Sequence, residues 1–154
     1  MANFVFNTAL GAVKRLVRNV EDNSPVAAVL RIHAWVVTAT DDNINNAEFV
    51  SNVEATALVA EATNTGYANI LMDEVDITIT VNDTTNLVDL DLTDQTFSAV
   101  SAGDVWTDIS ISYDALGTDV DAGVVAMTWH DFAVTPNGGD ITAQFAAAGF
   151  FRAS

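Results

Sequence analysis

Val75-Asp76-Ile77-Thr78-Ile79-Thr80-Val81-Asn82 decides the fold class, because Val75, Ile77, Ile79 and Val81 alternate strictly with Asp76, Thr78, Thr80 and Asn82. A period of two sends successive side chains to opposite faces, so the stretch predicts a half-buried β-strand. A polar turn over 82–86 follows, and Val88, Leu90 and Leu92 then alternate with Asp89 and Asp91 as a second strand. Ile109, Ile111 and Tyr113 alternate with Asp108, Ser110, Ser112 and Asp114 as a third, which predicts a polar outer face carrying those two acids.

Between Val124 and Val134 the apolar phase runs Val125, Met127, Trp129 and then shifts to Phe132 and Val134. A one-step shift predicts a β-bulge near His130-Asp131. Pro136-Asn137-Gly138-Gly139 marks a turn, and residues 141–151 predict a final strand packed by Phe145, Phe150 and Phe151, with a helical turn at Ala146-Ala147-Ala148 as the alternative.

Upstream, residues 26–37 are apolar on both faces apart from Arg31 and His33, the pattern of a central strand covered on both sides. Residues 67–72 predict a short strand. A helix is expected from Asn45 or Asn46 to about Ala60, with Phe49, Val53 and Ala57 in register. Near the N-terminus Val13, Leu16, Val17 and Val20 follow helical spacing, and Glu21-Asp22-Asn23-Ser24-Pro25 closes that helix. Short strands separated by Asp, Asn and Gly turns predict a mainly β, jelly-roll-like β-sandwich with one or two short helices. Residues 1–154 read as one domain, in which segment 1–20 is an arm or a docked helix.

Charge narrows the function. The 154 residues carry 21 acids against 5 bases, a formal net charge of −16, yet half of them are apolar, so the chain should fold. Such a charge repels nucleic acid and anionic membranes, and neither is expected as a partner. Self-repulsion is relieved when salt shortens the Debye length to about 3 Å at 1 M, which raises a high-salt, halophilic origin beside the plainer reading of a solubilising surface. Neither an N-terminal signal pattern nor an apolar run long enough to span a bilayer is visible, so secretion and membrane insertion are not expected.

Chemistry is sparse. The chain has no cysteine and only two histidines, His33 and His130, with no G-x-S-x-G elbow, dinucleotide fingerprint or phosphate-binding loop. His130-Asp131 is the one adjacent imidazole–acid pair, but neighbours on a strand point to opposite faces. Asp89, Asp91 and Asp94, and Asp114, Asp119 and Asp121, are the acid clusters a structural calcium would use. Neither follows the EF-hand order, and strand-face and turn positions explain them. Trp35 and Trp129 fall within apolar strands and read as core, while Trp106 is undecided. No catalytic residue, metal ligand or cofactor is expected.

Three of the five bases, Lys14, Arg15 and Arg18, share the polar side of the N-terminal helix, which can dock on the domain's own acidic surface or on a neighbouring subunit. Docking on its own domain is the preferred expectation. With Phe150, Phe151 and Arg152 they are the candidate interface residues.

Four passages resemble a family of tailed-phage structural proteins that serve as head-decoration, minor capsid or tail-fibre-like proteins. They are the N-terminal helix and apolar strand from Phe4 to Val37; Thr63-Asn64-Thr65-Gly66-Tyr67-Ala68; the strand from Trp106 through Ser112-Tyr113-Asp114-Ala115; and His130-Asp131-Phe132-Ala133-Val134-Thr135-Pro136 continuing to Ala148-Gly149-Phe150-Phe151-Arg152. The family has Arg after Gly-Tyr-Ala where this chain has Asn69. The resemblance implies a non-enzymatic virion subunit at the capsid surface, partnered by the major capsid protein or other virion proteins, and a homo-oligomer such as a trimer. A receptor- or carbohydrate-binding module of a tail fibre is the alternative.

Overall fold

The computed structural model describes residues 3–38, 44–146 and 149–153. In chain order its elements are β1 (Phe4–Val5), α1 (Val13–Glu21), β2 (Val29–Val37), α2 (Val50–Glu54), β3 (Val59–Glu61), β4 (Ile70–Met72), β5 (Ile77–Asn82), β6 (Leu87–Leu92), β7 (Gln95–Phe97), β8 (Trp106–Asp114), β9 (Val124–Val134), β10 (Ile141–Ala143) and β11 (Phe151–Ala153), with single 3-10 turns at Ile44–Asn46, Glu74–Asp76 and Asp121–Gly123. The protein is mainly β and sandwich-like, with antiparallel sheets and two short helices.

The large sheet runs β1-β9-β8-β2, and β3 and β4 both pair with the far side of β2. β11-β6-β5 form a second sheet, and β7 and β10 a two-stranded ribbon. As expected of a central strand, β2 has neighbours on both edges and residues 30–35 are buried, but it starts at Val29 rather than Val26, since residues 26–27 lie in a turn and Val26 is 83% exposed.

Register fixes two distinct faces on the large sheet. Leu30 lies opposite Tyr113, Ile32 opposite Ile111 and Ala34 opposite Ile109, giving one aliphatic face. Arg31, His33 and Trp35 lie opposite Ser112, Ser110 and Asp108 on the other. On that second face Phe4 stacks on Trp129, Trp129 on Trp35, and Trp35 on His33.

Helix α1 forms where its spacing predicted. Val13, Leu16, Val17 and Val20 are all buried, and the helix packs against β2 and β5. Burial of each of these side chains contributes about 1.5–3 kcal/mol, so docking through the apolar stripe outweighs any pull from the charges on the opposite side.

Three further expectations are corrected. The helix expected from 45 to 60 shrinks to α2, whose start is held by Asn52 Oδ1 accepting the Phe49 N–H at 3.0 Å. Its tail leaves the helix because Val59, Ala60 and Glu61 pair with Val37, Val36 and Trp35 of β2, and the ladder bonds override the helix-favouring Ala57 and Ala60. The single strand expected over 141–151 is two strands on different sheets, β10 on β7 and β11 on β6. Gly149 breaks it: φ is +86°, and a Cβ there would lie 2.5 Å from Leu90 O. Ala147-Ala148, on which the alternative helical turn was expected, lie outside the described residues.

The third correction concerns β8. Asp108, Ser110, Ser112 and Asp114 are buried rather than solvent-facing, because β8 is covered on both faces. The expected bulge is present, since Trp106 lies opposite Val134 and Asp108 opposite Asp131, leaving one extra residue on β9. A second bulge follows between Ile111 and Ser112.

Candidate protein–protein interface

The six candidate interface residues fall into two separate groups. Lys14, Arg15 and Arg18 line the exposed side of α1. Arg18 Nη1 pairs with Glu21 Oε2 at 3.1 Å one turn on, which leaves Lys14 and Arg15 as cations without a partner among the described residues. The remaining two bases are engaged. Arg31 is buried, its Nε 3.0 Å from Asp114 Oδ2 and its Nη1 3.2 Å from Asp119 Oδ1 and 2.9 Å from Asn69 Oδ1.

Arg152 reaches across from β11 to β6 and grips Asp89 with two bonds, 2.5 Å from Nε to Oδ1 and 3.0 Å from Nη2 to Oδ2. This exposed pair draws the Asp89 carboxyl below its usual range. Phe150 and Phe151 beside it are half-buried, and Phe150 N–H donates to Leu90 O at 2.9 Å.

Two shallow concavities meet at this C-terminal segment. One of about 210 Å³ is lined by Asn3, Phe4, Val5, Thr128, His130, Phe150 and Phe151. The other, about 290 Å³, shares Asn3, His130 and Phe150 and adds Asp131, Phe132 and Phe145 among others. Thr128 and His130 alternate onto one face of β9, with His130 Nε2 2.9 Å from Thr128 Oγ1. Burial pushes the His130 pKa down to about 4, so the ring is neutral at pH 7. Asp131 does not complete a triad with it: Asp131 is exposed, and its backbone N–H donates to Asn3 Oδ1 at 2.8 Å. The pair therefore has a hydroxyl and an imidazole but no orienting acid among the described residues, and the hydroxyl is buried.

The acid clusters are spent on structure. Asp114 Oδ1 accepts the Leu116 and Gly117 N–H groups and its Oδ2 the Asp119 N–H, each within 3.1 Å, while also pairing with Arg31. Burial raises the pKa of this carboxyl, but those bonds and the Arg31 charge outweigh it and hold the value below the usual range. Asp94 accepts the Phe145 N–H and Asp89 holds Arg152. Among the described residues no group of three or more acids or histidines has metal-site geometry.

Comparison with family models, with curated proteins and with solved structures finds no match to this chain.

Sequence reasoning missed a buried polar layer on the aromatic face of the large sheet. Trp35 Nε1 donates to Ser110 Oγ and Trp129 Nε1 to Asp108 Oδ1, both at 2.8 Å. Trp106, undecided from sequence, is fully buried and donates to Asn64 Oδ1 at 2.8 Å. Tyr67 OH accepts the Ala34 N–H at 3.0 Å and donates to Glu61 Oε1 at 2.6 Å, with His33 Nδ1 3.3 Å from the same oxygen. Burial opposes ionisation of Glu61, yet the hydrogen bond and charge of His33 and the bond from Tyr67 lower its pKa. One signal for this layer was legible: each indole in an apolar strand needs an acceptor, and short polar residues on β8 were the acceptors at hand.

Glu54 of α2 and Asp121 lie within each other's electrostatic reach. Burial raises both pKa values, and the Asp121 charge adds to the upward shift of Glu54.

Proposed function

We propose that this chain is a non-enzymatic structural subunit of a tailed-virus particle, a capsid-decoration or minor capsid protein at the capsid surface that works through protein–protein contacts. The observation that carries this reading is the distribution of charge. On a molecule of net charge −16, the two cations left without a partner among the described residues stand side by side on one helix that is already docked by its other face. Side chains kept free on a fixed scaffold are suited to a contact with another acidic surface, of which further virion subunits are the natural source. The four passages resembling tailed-phage structural proteins supply the virion context.

His130 has Thr128 as its hydrogen-bond partner and no orienting acid among the described residues, and Glu61, Asp108 and Asp114 serve as hydrogen-bond partners within the fold. A carbohydrate platform needs exposed aromatic rings, whereas Trp35, Trp106 and Trp129 are fully buried. The test is quantitative mass spectrometry with immunogold labelling of density-purified particles from the source of this sequence. Many copies per particle on the capsid exterior are expected. Absence of the chain from particles overturns the proposal.

A further inference from the structure

Edge strands expose unpaired N–H and C=O groups, and stable proteins blunt them by keeping them short or by placing lysine, proline or a bulge on them. Among the described residues the edges formed by β1, β3, β4, β7, β10 and β11 run only two or three residues. β5 is different. Its six residues, Ile77-Thr78-Ile79-Thr80-Val81-Asn82, form an outer edge with no charge, proline, glycine or bulge, paired on its inner side to β6 and on its outer side to nothing described. Only Ile77 is buried, while Val81 is 53% exposed and Val75, just before the strand, 78%.

We propose that β5 is a strand-addition site whose occupant is β5 of a second copy, the two pairing antiparallel across a two-fold axis to join both three-stranded sheets into one of six strands. The inference rests on the subunit reading above and names the partner of that subunit. The sequence is self-complementary for such pairing. Antiparallel alignment sets Ile77, Ile79 and Val81 of both copies on one face and Thr78 and Thr80 on the other, and β-branched cross-strand neighbours stabilise each other. The pairing covers the exposed Val81 of each copy with apolar neighbours.

Charge points to the same occupant. In that register Asp76 of each copy lies opposite Asn82 of the other, one position from its Asp83, so two carboxylates come close at each end and the contact needs screening. α1 packs against β5, so its unpartnered Lys14 and Arg15 travel with this flank and meet the acidic surface of the other copy. Association is therefore favoured by salt at first, with the Lys14 and Arg15 contribution fading as screening becomes complete.

Sedimentation equilibrium of the full chain from about 0.1 M to about 3 M NaCl tests this, because the Debye length falls from about 10 Å to below 3 Å across that range. A dimer that strengthens with salt is expected. The double substitution Thr78→Glu and Thr80→Glu changes two exposed side chains and sets four carboxylates on one face of the joint. It should weaken the dimer by roughly tenfold or more at fixed salt, with unchanged far-UV circular dichroism. Independently, hydrogen exchange in the unaltered chain should show β5 amides gaining protection as concentration rises.

A monomer at every salt overturns the pairing, as does a dimer indifferent to both glutamates or one whose β5 exchange ignores concentration. Those results leave a chain found in particles still a virion subunit. A salt-strengthened β5 dimer from a chain absent from particles would sink the subunit reading and keep the pairing.

Discussion

In β8 of the large sheet, Asp108, Ser110, Ser112 and Asp114 lie buried and hydrogen-bonded, while in β5 of the three-stranded sheet Thr78, Thr80 and Asn82 stand in solvent. Both strands carry the same alternation of apolar and polar residues. The difference lies in what their neighbours ask for. β8 runs between β2 and β9, which bring Trp35, Trp129 and Arg31 to its polar side, and those groups need acceptors once water is excluded. Among the described residues β5 has a strand neighbour on one edge only, and the exposed Thr78 and Thr80 show that its polar side keeps its water. Alternation identifies a strand; the number of covered faces decides whether its polar residues are surface or scaffold.

Breaking this contrast begins at Asp114. Replacement by Ala removes the buried partner of Arg31, leaving it only the half-exposed Asp119 as a counter-charge, and frees three turn N–H groups, and should cost about 3–5 kcal/mol in urea unfolding. The same substitution at Asp91, half-buried on the second sheet and without an ion pair among the described residues, should cost far less.

The next effect is a pH dependence. His130 has a pKa of about 4 in the folded chain and about 6.5 unfolded, so between these values the unfolded state binds more protons. Its contribution is complete above about pH 6.5 and is lost as pH falls towards 4, with an upper bound of about 3 kcal/mol. Asp114 and Glu61 have lowered pKa values, so their contribution is present above the ordinary carboxylate range and disappears below it. Stability measured from pH 7 to pH 4 should fall, and His130→Gln should flatten the upper part of that fall.

Ser110→Ala leaves the Trp35 indole N–H without its partner and should cost about 1–3 kcal/mol. Thr80→Ala, the matching change on the solvent side of β5, should stay within about 0.5 kcal/mol. Equal losses from these two variants would erase the contrast between the sheets.

Much of the framework was legible in sequence for local reasons. The four-residue apolar stripe of α1, the two-sided cover of β2, the phase shift of β9 and the alternation of β5 and β6 are each set by residues close together in the chain. What escaped was set by distant partners. Val59 to Glu61 joins β2 across a loop, Gly149 turns because Leu90 O approaches it, and Asp108 and Asp114 are buried by strands read separately. Of the candidate interface, the cationic side of α1 was visible as a pattern. Arg152 proved to be held by Asp89, and Arg31 by Asp114, Asp119 and Asn69, pairings that no spacing rule supplies. Asn69 Nδ2 donates to both Asp119 oxygens at 3.1 Å, so the position at which the resembling family carries Arg is here a neutral link between Arg31 and Asp119.

A density reconstruction of the purified particle tests the central claim most directly. The account predicts copies of this fold on the capsid exterior with the flank formed by α1 and β5 against a neighbouring subunit and the polar layer of the large sheet enclosed within each copy. Copies whose α1 and β5 flank faces open solvent, or a particle with no density for this fold, would contradict it.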